Sequence, residues 1–214
     1  MNPLDVFFPP RCVFCGARGV RGTCASCAAR LPRQPKQRRE GTFGVCAVPL
    51  RYEGRAREAI LRFKFRGGRG AAEGFGALLA QAAAEELGGT FEVVTWAPVS
   101  RRRERERGYD QSFLLARAAC RLWDTAPARL LVKRRHTPPQ SGLSAAERRA
   151  NVLGAYEACA PERLQNARVL LVDDIVTSGA TLTECVRVLR DAGAASVVCA
   201  CLASASTEKR GNAG

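Results

Sequence analysis

The chain has 214 residues, 46% hydrophobic and 25% charged, the proportions of a soluble folded protein and not of a disordered one. That length holds one ordinary α/β domain with room for a small appendage. Lys and Arg number 34 against 20 Asp and Glu, a formal charge of +14. The excess is uneven: 15 basic against 4 acidic in residues 1–70, none against 4 in 71–100, 13 against 5 in 101–150, and 6 against 7 in 151–214. Two basic blocks suit a phosphate-bearing partner, and a solvated arginine face is the plainer account of the same charge.

No apolar run approaches the ~20 residues that span a bilayer. Residues 1–10 lack the basic start of a secretory signal. Both readings predict a cytoplasmic protein, where ten cysteines point to metal or buried thiols rather than disulfides.

Cys12-Val13-Phe14-Cys15 and Cys24-Ala25-Ser26-Cys27 are two CxxC pairs separated by eight residues. Two such turns offer four thiolates to one tetrahedral ion, and with no open coordination position the site reads as structural zinc. So short a segment has little core, so the metal would supply its folding energy. A redox CxxC, the alternative, normally follows a strand, whereas this one follows Pro9-Pro10-Arg11. Cys46, Cys120, Cys159, Cys185, Cys199 and Cys201 lack such spacing and are expected as small core residues.

Beyond the knuckle, residues 31–41 read as a linker. The pattern then predicts a strand over 45–52, helices over 55–65 and 71–87, a buried strand over 91–99, and a helix over 109–123. A short strand over 129–133, a polar loop over 134–151 and a strand over 152–159 follow. The chain closes with a strand over 168–172, a helix over 178–192 and a strand over 196–202. Alternating strands and helices imply an α/β fold with a mainly parallel sheet covered on both faces. The expected organisation is a knuckle and linker over 1–40, one α/β domain over 41–204 and a polar tail over 205–214.

The chemistry concentrates in Val169-Leu170-Leu171-Val172-Asp173-Asp174-Ile175-Val176-Thr177-Ser178-Gly179-Ala180-Thr181. An apolar strand delivers two carboxylates where parallel sheets place ligands, and a small-residue loop then opens a helix. Backbone N–H groups at such a helix start cradle phosphate, with hydroxyls of Thr177, Ser178 and Thr181 in support. Carboxylates beside a phosphate site fit a sugar phosphate, whose hydroxyls they accept. A Walker A loop is excluded because no Lys follows the glycine, and a dinucleotide fold because GxGxxG is absent.

This stretch resembles the 5-phosphoribosyl 1-diphosphate (PRPP) signature of type I phosphoribosyltransferases. The resemblance assigns the ribose hydroxyls to Asp173 and Asp174, and the 5-phosphate to Thr177, Ser178, Gly179, Ala180 and Thr181. Three further stretches narrow it: Tyr52-Glu53-Gly54 with Ile60 and Phe63-Lys64-Phe65-Arg66-Gly67; Pro98-Val99-Ser100 through Arg107-Gly108-Tyr109-Asp110-Gln111; and Thr137-Pro138-Pro139-Gln140 with Leu143, Arg148 and Asn151. With the cysteine knuckle ahead of them, in this order, they resemble the ComF family of competence proteins over residues 1–203. Two departures stand out: one Cys₄ set where many members carry a second cluster, so one zinc is expected, and Ser100 where the family usually has Pro.

The resemblance implies a type I phosphoribosyltransferase-like fold binding PRPP or ribose 5-phosphate. Arg101 and Arg102 would face the diphosphate, Arg being suited to bidentate phosphate contacts. Mg²⁺ would be held mainly by the substrate's own oxygens. Residues 136–151 are expected as a lid. Lys64 is a candidate phosphate contact with a surface helix position as its plainer reading, and His136 is assigned no role. The resemblance further implies work in natural transformation on single-stranded DNA, with DNA-uptake or recombination proteins as partners. An active phosphoribosyltransferase with no DNA role and a PRPP-sensing module are the competing readings. Phe7, Phe8 and Phe14 beside the basic groups are candidates for stacking on unpaired bases.

Overall fold

The run from Arg168 to Val176 and the run from Ser196 to Ser204 lie side by side at the centre of the molecule. The computed structural model describes residues 9–65, 69–138 and 143–205. In chain order the first elements are α1 (Ala25–Ala28), β1 (Arg38–Gly41), β2 (Gly44–Ala47), β3 (Leu50–Arg51), α2 (Gly54–Phe65) and α3 (Ala72–Leu87). Next come β4 (Val93–Trp96), α4 (Arg101–Arg107), α5 (Gln111–Leu122), β5 (Leu131–Lys133) and α6 (Ala145–Val152). The last are β6 (Tyr156–Ala158), β7 (Arg168–Val176), α7 (Ala180–Asp191) and β8 (Ser196–Ser204).

Strands run in the order β1-β2-β8-β7-β4, with β3 also pairing with β8. All pairs are parallel except the β1–β2 hairpin at the edge. β5 and β6 form a separate antiparallel ribbon. The sheet is mainly parallel, as its sequence pattern predicts.

Both faces of the sheet are covered, which is why its strands read as continuous apolar runs. Successive side chains of β7 alternate between the two cores. Leu170 and Val172 pack with Phe63, Phe75, Leu79 and Leu115 of α2, α3 and α5. Val169 and Leu171 pack with Leu130, Leu164, Leu182 and Leu189 on the other side.

The knuckle is seated on the first of these cores. Cys12, Phe14, Cys27 and Leu31 belong to it, and Phe14 meets Phe75 edge-on at 5.7 Å between ring centroids. Gly74 of α3 makes the approach possible, since a Cβ there would meet Val13 Cγ1 at 2.6 Å and Gly22 Cα at 2.8 Å.

Several elements depart from the sequence pattern. Residues 38–41, read as linker, form β1, which gains its ladder from β2 and not from any apolar alternation of its own. The strand read over 45–52 is split at Pro49, which has no N–H to donate. Residues 145–151, read as loop, and Val152, read as the start of a strand, form α6, whose Ser144 and Glu147 make a reciprocal capping box, and the strand is Tyr156–Ala158. Cys159 is exposed rather than in the core, since β6 ends at Ala158 and its Sγ turns outward to Arg129 O. The remaining unpaired cysteines, Cys46, Cys120, Cys185, Cys199 and Cys201, are buried as expected. Phe14, taken as a stacking platform, is 4% exposed and therefore unavailable to a base. Phe7, Phe8 and residues 206–214 of the tail lie outside the described residues.

Candidate functional site

Strand β7 carries Asp173 and Asp174 inside its length, ending at Val176 instead of stopping at Val172. The pair opens onto a cleft of about 580 Å³ lined by Tyr52, Lys64, Arg103, Lys133, Thr177 and Thr181, among others. Lys64, at the end of α2, pairs with Asp174 at 3.0 Å. Asp173 accepts from Ser112 Oγ at 2.9 Å and from the Asp174 N–H at 2.8 Å. Burial, and then the adjacent Asp174 carboxylate, push the Asp173 carboxyl up to about 7.

Behind the pair, Thr177 to Gly179 turn the chain into α7. Gly179 is the helix's N-cap at φ +77°, and no side chain caps the helix. The contrast is with α4, α5 and α6, capped by Ser100, Asp110 and Ser144. An uncapped start leaves backbone N–H groups without intrahelical partners. Ser178 Oγ is buried there with no hydrogen-bond partner among the described residues. Both features fit an anion at this helix start. Thr177 and Thr181 line the cleft, whereas Ser178 and Gly179 in the turn and Ala180 at the start of α7 do not.

Residues 101–107, left without an element between the expected strand and helix, form helix α4. Arg101 and Arg102 are exposed on it and do not line the cleft; Arg102 pairs with Glu106 at 2.8 Å. Arg103 and Arg107, one turn apart, are the arginines of α4 that do line it. Arg103 is half-buried and donates to Thr137 O at 3.0 Å. Burial, and then Arg107, work against its charge. Ser100, the departure from the family pattern, is buried, caps α4 and meets His136 Nδ1 at 2.9 Å.

Asp110 fastens this wall to the sheet. It caps α5 by accepting from the Phe113 N–H, and it also accepts from the Val99 N–H and Trp96 Nε1. Burial holds its carboxyl up at about 6 despite these bonds. Opposite register partners Lys133 and Tyr156 of the β5–β6 ribbon also line the cleft, with Lys133 Nζ 4.9 Å from the ring centroid. Sequence reading passed over Arg103, Arg107 and Lys133. The spacing of the first two, one helical turn apart, is the signal that carried them.

The four cysteines of the knuckle converge as the spacing predicts. The Sγ atoms of Cys12, Cys15, Cys24 and Cys27 all lie within 4.8 Å of one another, with Cys15 and Cys24 at 3.7 Å. A tetrahedral zinc about 2.3 Å from each sulfur separates them by about 3.8 Å, so the donor set fits. Burial, and hydrogen bonds with Cys15, Cys24 and Cys12, push the Cys27 thiol up to about 12. Arg55 Nη1 of α2 is 3.9 Å from Cys27 Sγ, and Arg62 donates to Phe14 O.

Residues 112–212 match the phosphoribosyl transferase domain family, and residues 3–58 the double zinc ribbon domain family. The chain is 38% identical over 104 residues to Competence protein F of Haemophilus influenzae, covering 48% of this chain and 45% of that protein. It is 35% identical over 109 residues to DNA utilization protein YhgH of Escherichia coli, covering 49% and 46%. Competence protein ComFC of Bacillus subtilis is 28% identical over 151 residues, covering 69% and 58%. The chain thus spans about half the length of these first two relatives.

Residues 112–212, with the acidic pair and the helix start behind it, are a phosphoribosyltransferase-type domain in a mainly parallel sheet. The cysteine cluster ahead of it is a structural zinc site of the zinc-ribbon kind. Carrying both, the chain is similar to the competence proteins above, which supports a ComF family protein.

Proposed function

We propose that the cleft binds PRPP or ribose 5-phosphate with Mg²⁺, and that the protein acts in natural competence by handling incoming single-stranded DNA. The observation carrying the first part is the start of α7. It is the one long helix behind the acidic pair, it lacks a side-chain cap, and it leaves Ser178 Oγ buried without a partner. A phosphate there satisfies both, and Asp173 and Asp174 are then within the same cleft to accept sugar hydroxyls. Mg²⁺ would ride on the ligand's own oxygens, neutralising them without a protein cage.

Calorimetric titration of the intact protein with PRPP and Mg²⁺ tests this reading. Binding is expected for the unsubstituted protein and is expected to vanish in Asp173→Asn with Asp174→Asn. Unchanged affinity in that double variant sinks the assignment.

The DNA part draws on the names of the relatives and on exposed arginines. Arg11, Arg18, Arg30 and Arg33 of the knuckle and Arg101, Arg102 and Arg105 of α4 are all exposed. Single-stranded DNA is expected to resist competition by duplex and by heparin. Equal competition by all three polyanions reduces the interaction to net charge.

A second reading, transfer of the phosphoribosyl group to an acceptor, is favoured by Asp173. Its carboxyl, near neutrality beside the expected sugar, can take up a proton during turnover. Release of pyrophosphate from PRPP, stimulated by an acceptor, is the measurement that decides it.

A further inference from the structure

We infer that Phe65, the last residue of α2, is the platform on which an unpaired base of single-stranded DNA stacks. The inference rests on the reading of this protein as a handler of single-stranded DNA. It goes beyond that reading by naming the residue that tells a base from a bare phosphate chain.

Phe65 is 63% exposed. Every other aromatic ring among the described residues is buried or partly buried. Phe14 and Phe63 meet Phe75, Phe91 meets Trp123, and Trp96 meets Phe113. Phe65 pairs with no ring among the described residues. One exposed apolar side chain is ordinary on a protein surface, so its surroundings decide what it is for.

The ring is held. The guanidinium of Arg107, the last residue of α4, lies 4.8 Å from its centroid and donates to Gln111 Oε1 at 2.8 Å. A cation over a ring fixes the plane of that ring. With this face covered, the exposure that remains belongs to the opposite face and the edges. Beside the ring a hollow of about 460 Å³ opens on α2, lined by Glu58, Leu61, Arg62 and Phe65. Leu61 stands one turn before Phe65, and the exposed Arg57 one turn before Leu61.

Charge selects the occupant. Glu58 is the only acidic residue of α2, against Arg55, Arg57, Arg62 and Lys64. Arg62 is spent on Phe14 O and Lys64 on Asp174, which leaves exposed Arg57 and the exposed arginines of α4 for phosphates. A protein partner seated on a helix face needs apolar anchors over several successive turns. Here the apolar surface is one ring and a half-buried leucine. A base needs only one ring face, and a basic margin suits the phosphates on either side of it.

The signature is a ratio that cancels the phosphate contacts: affinity of the intact protein for a thymidine oligomer over that for an abasic strand of equal length. Anisotropy of labelled strands measures both. The unsubstituted protein should prefer the thymidine strand. In Phe65→Leu that preference should shrink about fivefold or more, the loss of one stacked base. The slope of log affinity against log salt should not change, since no phosphate contact is removed. Phe65→Trp should keep the preference. Its fluorescence, less the part from Trp96 and Trp123 in the parent, should be quenched by the thymidine strand and not by the abasic one. The side chain is exposed, so both variants should melt within about 2 °C of the parent. No preference in the unsubstituted protein, or an unchanged preference in Phe65→Leu, overturns the inference. A flatter salt slope with the preference intact would make the ring a support for Arg107, and overturns it equally. If the unsubstituted protein binds neither strand, the DNA reading falls first and this one with it.

Discussion

The ring of Phe43 lies against the α-carbon of Gly179: a Cβ on that glycine would meet Cε1 at 2.4 Å and Cδ1 at 2.5 Å. Phe43 sits at the tip of the β1–β2 hairpin and is 2% exposed. Beside it, Thr42 Oγ1 and Thr183 Oγ1 are 2.7 Å apart. An edge hairpin with little pattern of its own thus backs the turn that opens α7. Arg39 of the same hairpin donates to Val176 O, Ser204 Oγ and Ala205 O, closing the ends of β7 and β8.

Gly179→Ala is accordingly expected to fail on two counts. The left-handed backbone at φ +77° costs an Ala about 1–2 kcal/mol, and the methyl must also displace Phe43. The melting temperature should drop by roughly 3–8 °C, and binding of PRPP should weaken with it. Adding Phe43→Ala should not restore binding, because the backbone strain remains. A Gly179→Ala protein that melts and binds like the parent would show that the turn is not held as described.

The raised Asp173 carboxyl makes a prediction of stability against pH. A carboxyl at about 7 in the folded chain and near 3.9 unfolded keeps its proton longer when folded. Its contribution to stability is therefore complete at acid pH and is lost as pH rises from about 4 through 7. Asp173→Asn removes the titrating group, so its stability relative to the parent should improve steadily between pH 5 and pH 8, by on the order of 2 kcal/mol. Denaturant melts at the two pH values measure this. A constant difference between the two proteins would contradict the placement of Asp173 in a desolvated site.

The zinc site should be coupled to the melting of the whole domain. Phe14, Cys12, Cys27 and Leu31 share one core with Phe63 and Phe75 of the helices. Elemental analysis should give one zinc per chain, and a chelator or Cys12→Ser should both release it and lower the main melting transition by at least about 5 °C, since metal binding is folding energy in such a segment. A separate small transition with the main one unmoved would mean that the knuckle folds on its own.

Salt dependence tests the arginines of α4. Each phosphate contact on a single strand contributes about 0.7 to the slope of log affinity against log salt. Replacing exposed Arg101, Arg102 and Arg105 together by Ala should therefore flatten the slope by about 2 if all three reach phosphates. Replacing Arg18, Arg30 and Arg33 of the knuckle gives the companion measurement. Slopes untouched by both sets would remove these faces from any DNA interface.

Local patterns made the centre of this molecule legible. The apolar runs of β7 and β8 and the acidic pair between strand and helix are signals contained in a dozen residues, and CxxC spacing alone brought four sulfurs together. Features set by a segment's partners, and not by its own pattern, were not readable. β1 exists because β2 lies beside it, and the inward arginines of α4 are known only once residues 101–107 are seen as a helix. With no element assigned to that stretch, attention falls on Arg101 and Arg102, next to the strand, when helical spacing turns Arg103 and Arg107 toward the cleft. The Ser144–Glu147 box, in contrast, was a helix-start signal present in the sequence and passed over in favour of the polar composition around it.

The close seat of Gly22 and Val13 on Gly74 has a consequence for how the two parts of the chain are made. With no room for even a methyl group between them, the knuckle is a lid pressed onto wet paint rather than a bead on a string. A polypeptide begun at residue 41 would surface Phe75 and its neighbours as an apolar scar on α3. Such a fragment is expected to self-associate in a size-exclusion experiment, so substitutions in the intact chain, and not its dissection, are the means of weighing what each part contributes.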